Sequence, residues 1–137
     1  MQILRTYLFL IPLVVLLLSE IVKMLVDQRR TGEWHAPLFR PGGMPSSHSA
    51  FVTSLLIVVG RKLGVESTEF AISFVFAAIV WYDAMSARRE LGEQAAILNR
   101  LQQWKHLKER LGHSFIEVVA GIAFGAVVTM VGIWVSA

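Results

Sequence analysis

The chain has 137 residues, a formal net charge of +3 and no cysteine; 55% of its residues are hydrophobic and only 17% are charged. A soluble domain usually carries nearer a quarter charged residues, so the composition argues for a membrane protein and against a soluble one. The length allows a single domain over residues 1–137, and the lack of cysteine excludes a disulfide framework and thiol chemistry.

The apolar residues are clustered. Residues 7–26 read YLFLIPLVVLLLSEIVKMLV, whose clearly polar members are Ser19, Glu20 and Lys23. At a rise of ~1.5 Å per residue, about 20 such residues cross a hydrocarbon core. Pro12 is expected to kink this helix without forbidding it. No small-x-small cleavage site follows, so the run is expected to stay as a span instead of being removed as a signal peptide. A polar, Gly- and Pro-rich loop follows over residues 27–44. The second span, residues 45–63, opens with PSSHS and then turns apolar; the tight turn 64–67 leads into the third, residues 68–86.

Residues 87–113 form a different kind of connection. Leu91, Ala95, Leu98, Leu101, Trp104, Leu107 and Leu111 recur every three or four positions, which predicts an amphipathic helix capped by Gly112. Such a helix lies on the membrane surface or packs on a partner subunit, which makes homo-oligomerisation an open expectation. The fourth span covers residues 114–137, with Gly121 and Gly125 four apart. That spacing suits close helix contact; glycine is also simply common in membrane helices, and both readings stand at this point. The predicted fold is therefore an all-α polytopic membrane bundle of about four transmembrane helices, with an amphipathic helix between the third and fourth.

With four spans, the two long connections share one side and both termini the other. Lys23, Arg29, Arg30, Arg40, Arg88, Arg89, Arg100, Lys105, Lys108 and Arg110 fall on the first side, against Arg5, Arg61 and Lys62 on the second. That bias places the long connections in the cytoplasm and both termini opposite. Because these basic residues sit between spans with acids interspersed, nucleic-acid binding has little support; the expected partners are membrane lipids.

Polar groups inside spans are costly and call for a reason. Ser46, Ser47, His48 and Ser49 open the second span, Asp83 closes the third, and His113 and Glu117 open the fourth. Given the direction of each span, all of them fall at the long-connection side. His113 and Glu117 share a helix face, and a carboxylate there can hold an imidazole in one tautomer and stabilise its cation; equally, Glu117 is an acid favoured by the helix N-terminus. His48 follows a helix start whose free N–H groups suit an anion, with Gly42 and Gly43 just before it allowing close backbone approach; a plain Gly-rich turn with a serine cap reads as well. Asp83 pairs with Arg88 or Arg89, or serves catalysis.

These residues resemble a known family. GGMPSSHSA (residues 42–50), YDAMSARRELGEQAAILN (82–99) and LKERLGHSFIEVVAG (107–121) are similar to three signature blocks of the divergent, short branch of the type 2 phosphatidic acid phosphatase superfamily, which also includes vanadium haloperoxidases. The resemblance covers essentially the whole chain. Pro45-Ser46-Ser47-His48 matches the Pro-Ser-Gly-His block with Ser47 in place of glycine, and His113 with Glu117 matches the end of the Ser-Arg-x5-His-x3-Asp block with Glu in place of Asp. Arg40-Pro41 fits the end of the first block, but Glu33 stands where its lysine belongs, and Leu107 occupies the arginine position of the third. In the middle block Ser86-Ala87 replace Gly-Val.

The resemblance implies hydrolysis of a phosphomonoester or diphosphate without a metal or other cofactor. His113 would attack phosphorus, Glu117 would orient it, and His48 would protonate the leaving oxygen. Asp83 has no counterpart in the superfamily and is expected to position Arg88, Arg89 or His48. Substrate binding would fall to Arg40, Arg88, Arg89, Lys108, Ser47 and the backbone N–H groups near Gly43 and Ser46. A site at membrane level implies a phosphorylated lipid as substrate. Two other readings compete: a non-catalytic binder of anionic head groups on the same fold, favoured by the missing Lys and Arg, and a metal site built from His48, Asp83, His113 and Glu117.

Overall fold

The structure, a computed structural model, describes residues 9–32, 42–109 and 111–136. Arg40, expected to bind substrate, lies outside the described residues, as do Glu33 and Pro41 of the first block, His35, and the basic residues Arg5 and Arg110.

Among the described residues every regular element is helical: α1 Leu10–Thr31, α2 Ser47–Leu63, α3 Thr68–Met85, α4 Ala87–Leu101 and α5 Phe115–Ser136. Helix α2 is central, packing against α1, α3 and α5. Two helical stretches, Thr68–Leu101 (α3 with α4) and Phe115–Ser136, are long and apolar enough to cross a membrane. Their outward faces are greasy: Ile72, Val75 and Ile79 of α3 and Ile116, Val127 and Trp134 of α5 are exposed. The other two predicted spans differ in kind. Helix α1 carries Glu20, Lys23 and Asp27, and α2 is 17 residues long and opens with serines.

Helix α1 continues to Thr31, beyond the predicted end at Val26, and stops where Gly32 takes φ 74° and returns its N–H to the Gln28 carbonyl at 2.8 Å. A left-handed glycine satisfying one of the last open carbonyls is a common way to end a helix. Pro12 falls in the first turn of α1, where an N–H has no intrahelical partner to lose, so the expected cause of a kink is absent. The turn between α2 and α3 is as expected: Gly64 adopts φ 87°, and Ser67 caps α3 by accepting from the Phe70 N–H at 3.2 Å.

The connection between α3 and α5 departs from expectation. Helix α4 ends at Leu101, ten residues short of Leu111 on the predicted amphipathic face, and Gln102 is extended. Asn99 causes the reversal. Its side-chain amide donates to the Leu107 carbonyl and its amide oxygen accepts from the Leu107 N–H, both at 2.8 Å, mimicking a backbone pair. Residues 107–109 and 111–112 then run back along α4. A Cβ on Gly92 would overlap the Glu109 carbonyl oxygen, and one on Gly112 would lie 2.7 Å from the Arg89 nitrogen. Gly112 is therefore a site of close backbone approach, not a helix cap. The apolar face of α4 is left exposed at Leu91, Ile97, Leu98 and Leu101, with Trp104 beyond it.

The two glycines of α5 resolve the choice left open by sequence. A Cβ on Gly121 would overlap the carbonyl oxygen of Ser46, and one on Gly125 would overlap that of Ala50. Their spacing brings the backbones of α5 and α2 together at the start of α2. Deeper in the same interface, the Thr129 hydroxyl donates to Ser54 Oγ at 2.7 Å, satisfying two buried polar groups at once.

Candidate active site

His113 sits just ahead of α5. Its own N–H donates to the Ala84 carbonyl at 3.0 Å, which fixes the entry to α5 against the end of α3. Ser114 and Glu117 form a reciprocal cap: the Glu117 N–H donates to Ser114 Oγ at 3.2 Å, and the Ser114 N–H donates to Glu117 Oε2 at 3.0 Å. Ser-x-x-Glu at a helix start is the sequence signal for this arrangement. The same Glu117 Oε2 lies 3.2 Å from His113 Nδ1. The two readings of Glu117 are thus both correct: the carboxylate caps the helix and orients the imidazole. A carboxylate facing Nδ1 favours the proton there, leaving Nε2 with its lone pair. Burial lowers the pKa of His113 below its usual value, outweighing the opposing charge and hydrogen bond of Glu117, with Lys23 and His48 lowering it further. The ring is therefore neutral at pH 7, as a nucleophile requires.

Three of the four residues expected to be catalytic line one cavity of about 170 Å³: His48, Asp83 and His113, together with Arg88. The fourth, Glu117, supports His113 from behind. Arg88 Nε donates to Asp83 Oδ2 at 2.7 Å, which decides the expected partner of Asp83. Arg89 turns away to the exposed Glu93 at 3.3 Å and lines a larger cavity of about 540 Å³, with Glu109, on the other side of His113 and Glu117. Lys108 is exposed and lines neither of these two cavities.

The start of α2 corrects one expectation. The Ser46 N–H donates to the Glu117 carbonyl at 3.1 Å and is not open to a ligand. The Ser46 hydroxyl is engaged too, accepting from the Ser49 N–H and lying 2.9 Å from Ser49 Oγ. The donors that helix geometry leaves open here are the N–H groups of Ser47 and His48. Ser47 Oγ is buried without a hydrogen-bond partner among the described residues. Gly43 has φ 91°, and a Cβ there would stand 3.3 Å from the stem of Lys23 and 3.5 Å from Asp27 Oδ2. Its lack of a side chain serves the loop and its contact with α1.

Two residues that sequence reasoning missed lie on α1. Lys23 Nζ and Glu20 Oε1 form a buried ion pair at 2.8 Å. Lys23 and Glu20 are also, with Arg88 and Asp83, among the described charges whose fields reach His48. The signal was present: ionisable residues within an apolar run, three apart, mark a functional site by default. Ser114 was also missed, although Ser-x-x-Glu announced it. Among the described residues, no three His, Asp or Glu are grouped so as to hold a metal ion; the proposed metal set of His48, Asp83, His113 and Glu117 lacks that geometry.

Comparison with known proteins gives the family of the chain. The Divergent PAP2 family matches residues 4–128. A relative described as the uncharacterized membrane protein YuiD of Bacillus subtilis (strain 168) is 34% identical over 153 residues, covering 96% of this chain and 96% of that protein. No solved structure matches the chain. The chain belongs to the Divergent PAP2 family and is a membrane protein.

Proposed function

We propose that this protein is an integral membrane phosphohydrolase that cleaves a lipid phosphomonoester or diphosphate through a phosphohistidine. The observation that supports it most directly is His113, bonded through Nδ1 to Glu117 and facing one cavity with His48 and Arg88. His113 Nε2 forms a bond to phosphorus as the bond from phosphorus to the leaving oxygen breaks. His48 gives its proton to that oxygen, a contribution of ~10²–10⁴ in rate. Water then attacks the phosphohistidine, His48 takes its proton, and phosphate leaves. Arg88 and the open N–H groups at the start of α2 stabilise the phosphoryl oxygens, while Asp83 positions Arg88.

In this reading α1 and α2 complete a four-span bundle with α3 and α5, and the motif-bearing connections face the cytoplasm. The exposed apolar face of α4 and Trp104 rest at head-group level beside a basic surface that suits anionic lipid. A second reading, a head-group binder without turnover, is favoured by one observation: Leu107 stands where the family's third block has arginine, and Arg88 is already paired with Asp83.

A phosphatase panel on detergent-purified protein, with phosphatidic acid, phosphatidylglycerol phosphate and a polyprenyl diphosphate, separates the two. Phosphate release that disappears in His113→Ala is expected. Release by His113→Ala equal to wild type would overturn the mechanism, and head-group binding without release would establish the second reading.

A further inference from the structure

Helix α4 packs on α3 and, among the described residues, makes no extensive contact with α1, α2 or α5. Helix α3 alone has 18 residues, close to what a hydrocarbon core requires, so α4 lies beyond the core at the end of that span. The reversal after α4 encloses an apolar groove of about 280 Å³, walled by Leu98 of α4 and by Gln102, Trp104, Lys105 and Leu107. The groove shares no residue with the two cavities beside His113. Side-chain amides shape it. Asn99 holds both backbone groups of Leu107, and Gln102 accepts from the Lys105 N–H at 3.0 Å while donating to the Lys105 carbonyl. The Gln102 amide is thereby spent on backbone, which leaves the wall apolar.

The rim is cationic. Lys105 belongs to the wall, Lys108 follows Leu107, and Arg100 shares a helix face with Ile97. All three are exposed, and none has an ion-pair partner among the described residues. The acids of this region are engaged or distant: Glu93 pairs with Arg89, Glu109 accepts from Asn99, and Glu90 sits in the first turn of α4, at the other end of the helix. An apolar wall under a cationic rim fits a molecule with a hydrocarbon end and an anionic end. A second copy of this chain docked on the same patch by two-fold symmetry would instead set three cations against three.

We propose that this groove binds an anionic phospholipid that is not the substrate, with an acyl chain against Leu98, Trp104 and Leu107 and its phosphate against Arg100, Lys105 and Lys108. A phosphodiester such as phosphatidylglycerol fills the role, since the monoester and diphosphate chemistry proposed at His113 does not cleave it. The site goes beyond the hydrolytic reading and does not depend on it. Leu98 and Leu107 come from the two arms of the reversal, so the lipid ties the arms together. The return arm lies against α4 at Gly92 and Gly112 and leads into His113, so the bound lipid steadies the approach to that residue from outside the cavity.

The test uses the full chain in phosphatidylcholine nanodiscs. The chain has no cysteine, so Leu101→Cys, an exposed position beside the groove, carries a single fluorescent label. Quenching is compared between equal small fractions of acyl-chain spin-labelled phosphatidylglycerol and phosphatidylcholine. Phosphatidylglycerol is expected to compete for the site about tenfold or more better than phosphatidylcholine, and Arg100→Gln/Lys105→Gln/Lys108→Gln to bring that ratio close to one. The same label at Val127→Cys, on the exposed face of α5, should give a ratio near one throughout. These positions are exposed, and circular dichroism confirms that each variant is folded. A ratio near one at Leu101→Cys in the otherwise native chain, or a high ratio that survives the triple substitution, would overturn the proposal. Quenching by neither lipid, with self-quenching of the label between molecules, would overturn it in favour of a second copy covering the groove.

Discussion

The backbone N–H of Ser46 donates to the carbonyl oxygen of Glu117 at 3.1 Å, joining the block that carries His48 to the block that carries His113. The bond is possible because Gly121, one turn along α5, has no side chain to hold the Ser46 carbonyl away. Two segments just over 70 residues apart in sequence are thereby set in register by main chain, and the two imidazoles are positioned relative to each other by the same contact.

It follows that Gly121→Ala should be more harmful than an alanine in a helix usually is. The new methyl group must displace α2 backbone rather than a flexible side chain, at a cost of about 1–3 kcal/mol. Thermal unfolding in detergent should show a lower midpoint for Gly121→Ala and Gly125→Ala, and Gly121→Ala should lose activity beyond its loss of stability. Gly132→Ala, whose Cβ would meet only Ile11 at an ordinary 3.8 Å, serves as the control that should change little.

Among the basic residues of the middle block, Arg88 and Arg89 should separate cleanly. Arg88 shares the cavity with both histidines, whereas Arg89 pairs with Glu93 outside it. Arg88→Ala should cut kcat/KM by roughly tenfold or more, and Asp83→Asn should do so less severely by freeing the guanidinium. Arg89→Ala should stay within about threefold, as expected for loss of an exposed pair. Steady-state kinetics on the four proteins, wild type included, decides the assignment; a larger loss for Arg89 would move the phosphate site to the other cavity.

The acid limb of the pH profile should report His113. Burial puts its pKa below the ordinary 6.5, and Glu117 opposes that shift. The nucleophile should therefore remain neutral, and kcat/KM undiminished, down to pH values below 6.5. In Glu117→Gln the opposing charge is gone, so the limb should move to still lower pH even as the rate falls. The same shift acts on stability. As pH falls below 6.5 the unfolded chain takes up this proton before the folded one, so the His113 contribution to stability falls with decreasing pH. A limb that moved upward in Glu117→Gln would contradict the assignment.

Much of this arrangement was legible in the sequence, and the exceptions have physical causes. The helix starts at Ser46 and Ser67 and the end-of-span positions of His48, Asp83 and His113 followed from local signals and span direction. The alternation of Leu91, Leu98 and Leu101 with later leucines suggested one long helix through Leu111, because periodicity continues through a segment that only a side chain can interrupt. Asn99 does so by pairing with Leu107, a contact eight residues away that no local pattern announces. Lys23 and Glu20 were visible as odd residues in an apolar run, but their direction depends on how α1 packs on α2, which a single helix does not reveal.

The Asn99 contact carries its own expectation. Asn99→Ala removes both bonds to Leu107 and leaves two backbone groups to find other partners, at a cost of about 1–3 kcal/mol. The segment 102–112 should then be cut faster by a limiting amount of trypsin, which has sites at Lys105 and Lys108, while the helical content by circular dichroism stays nearly constant. Cleavage at the wild-type rate would mean that the reversal is held by other contacts.

The central claim is that His113 forms a covalent bond to phosphorus. The direct measurement is to mix purified protein with 32P-labelled phosphatidic acid, and in parallel with a labelled polyprenyl diphosphate, quench within milliseconds into alkaline denaturant, and locate the label by peptide mapping. The expected result is alkali-stable, acid-labile label on the peptide containing His113, increased in His48→Ala with a substrate bearing a good leaving group and absent in His113→Ala. Turnover with no label at any quench time, or label retained in His113→Ala, would contradict it.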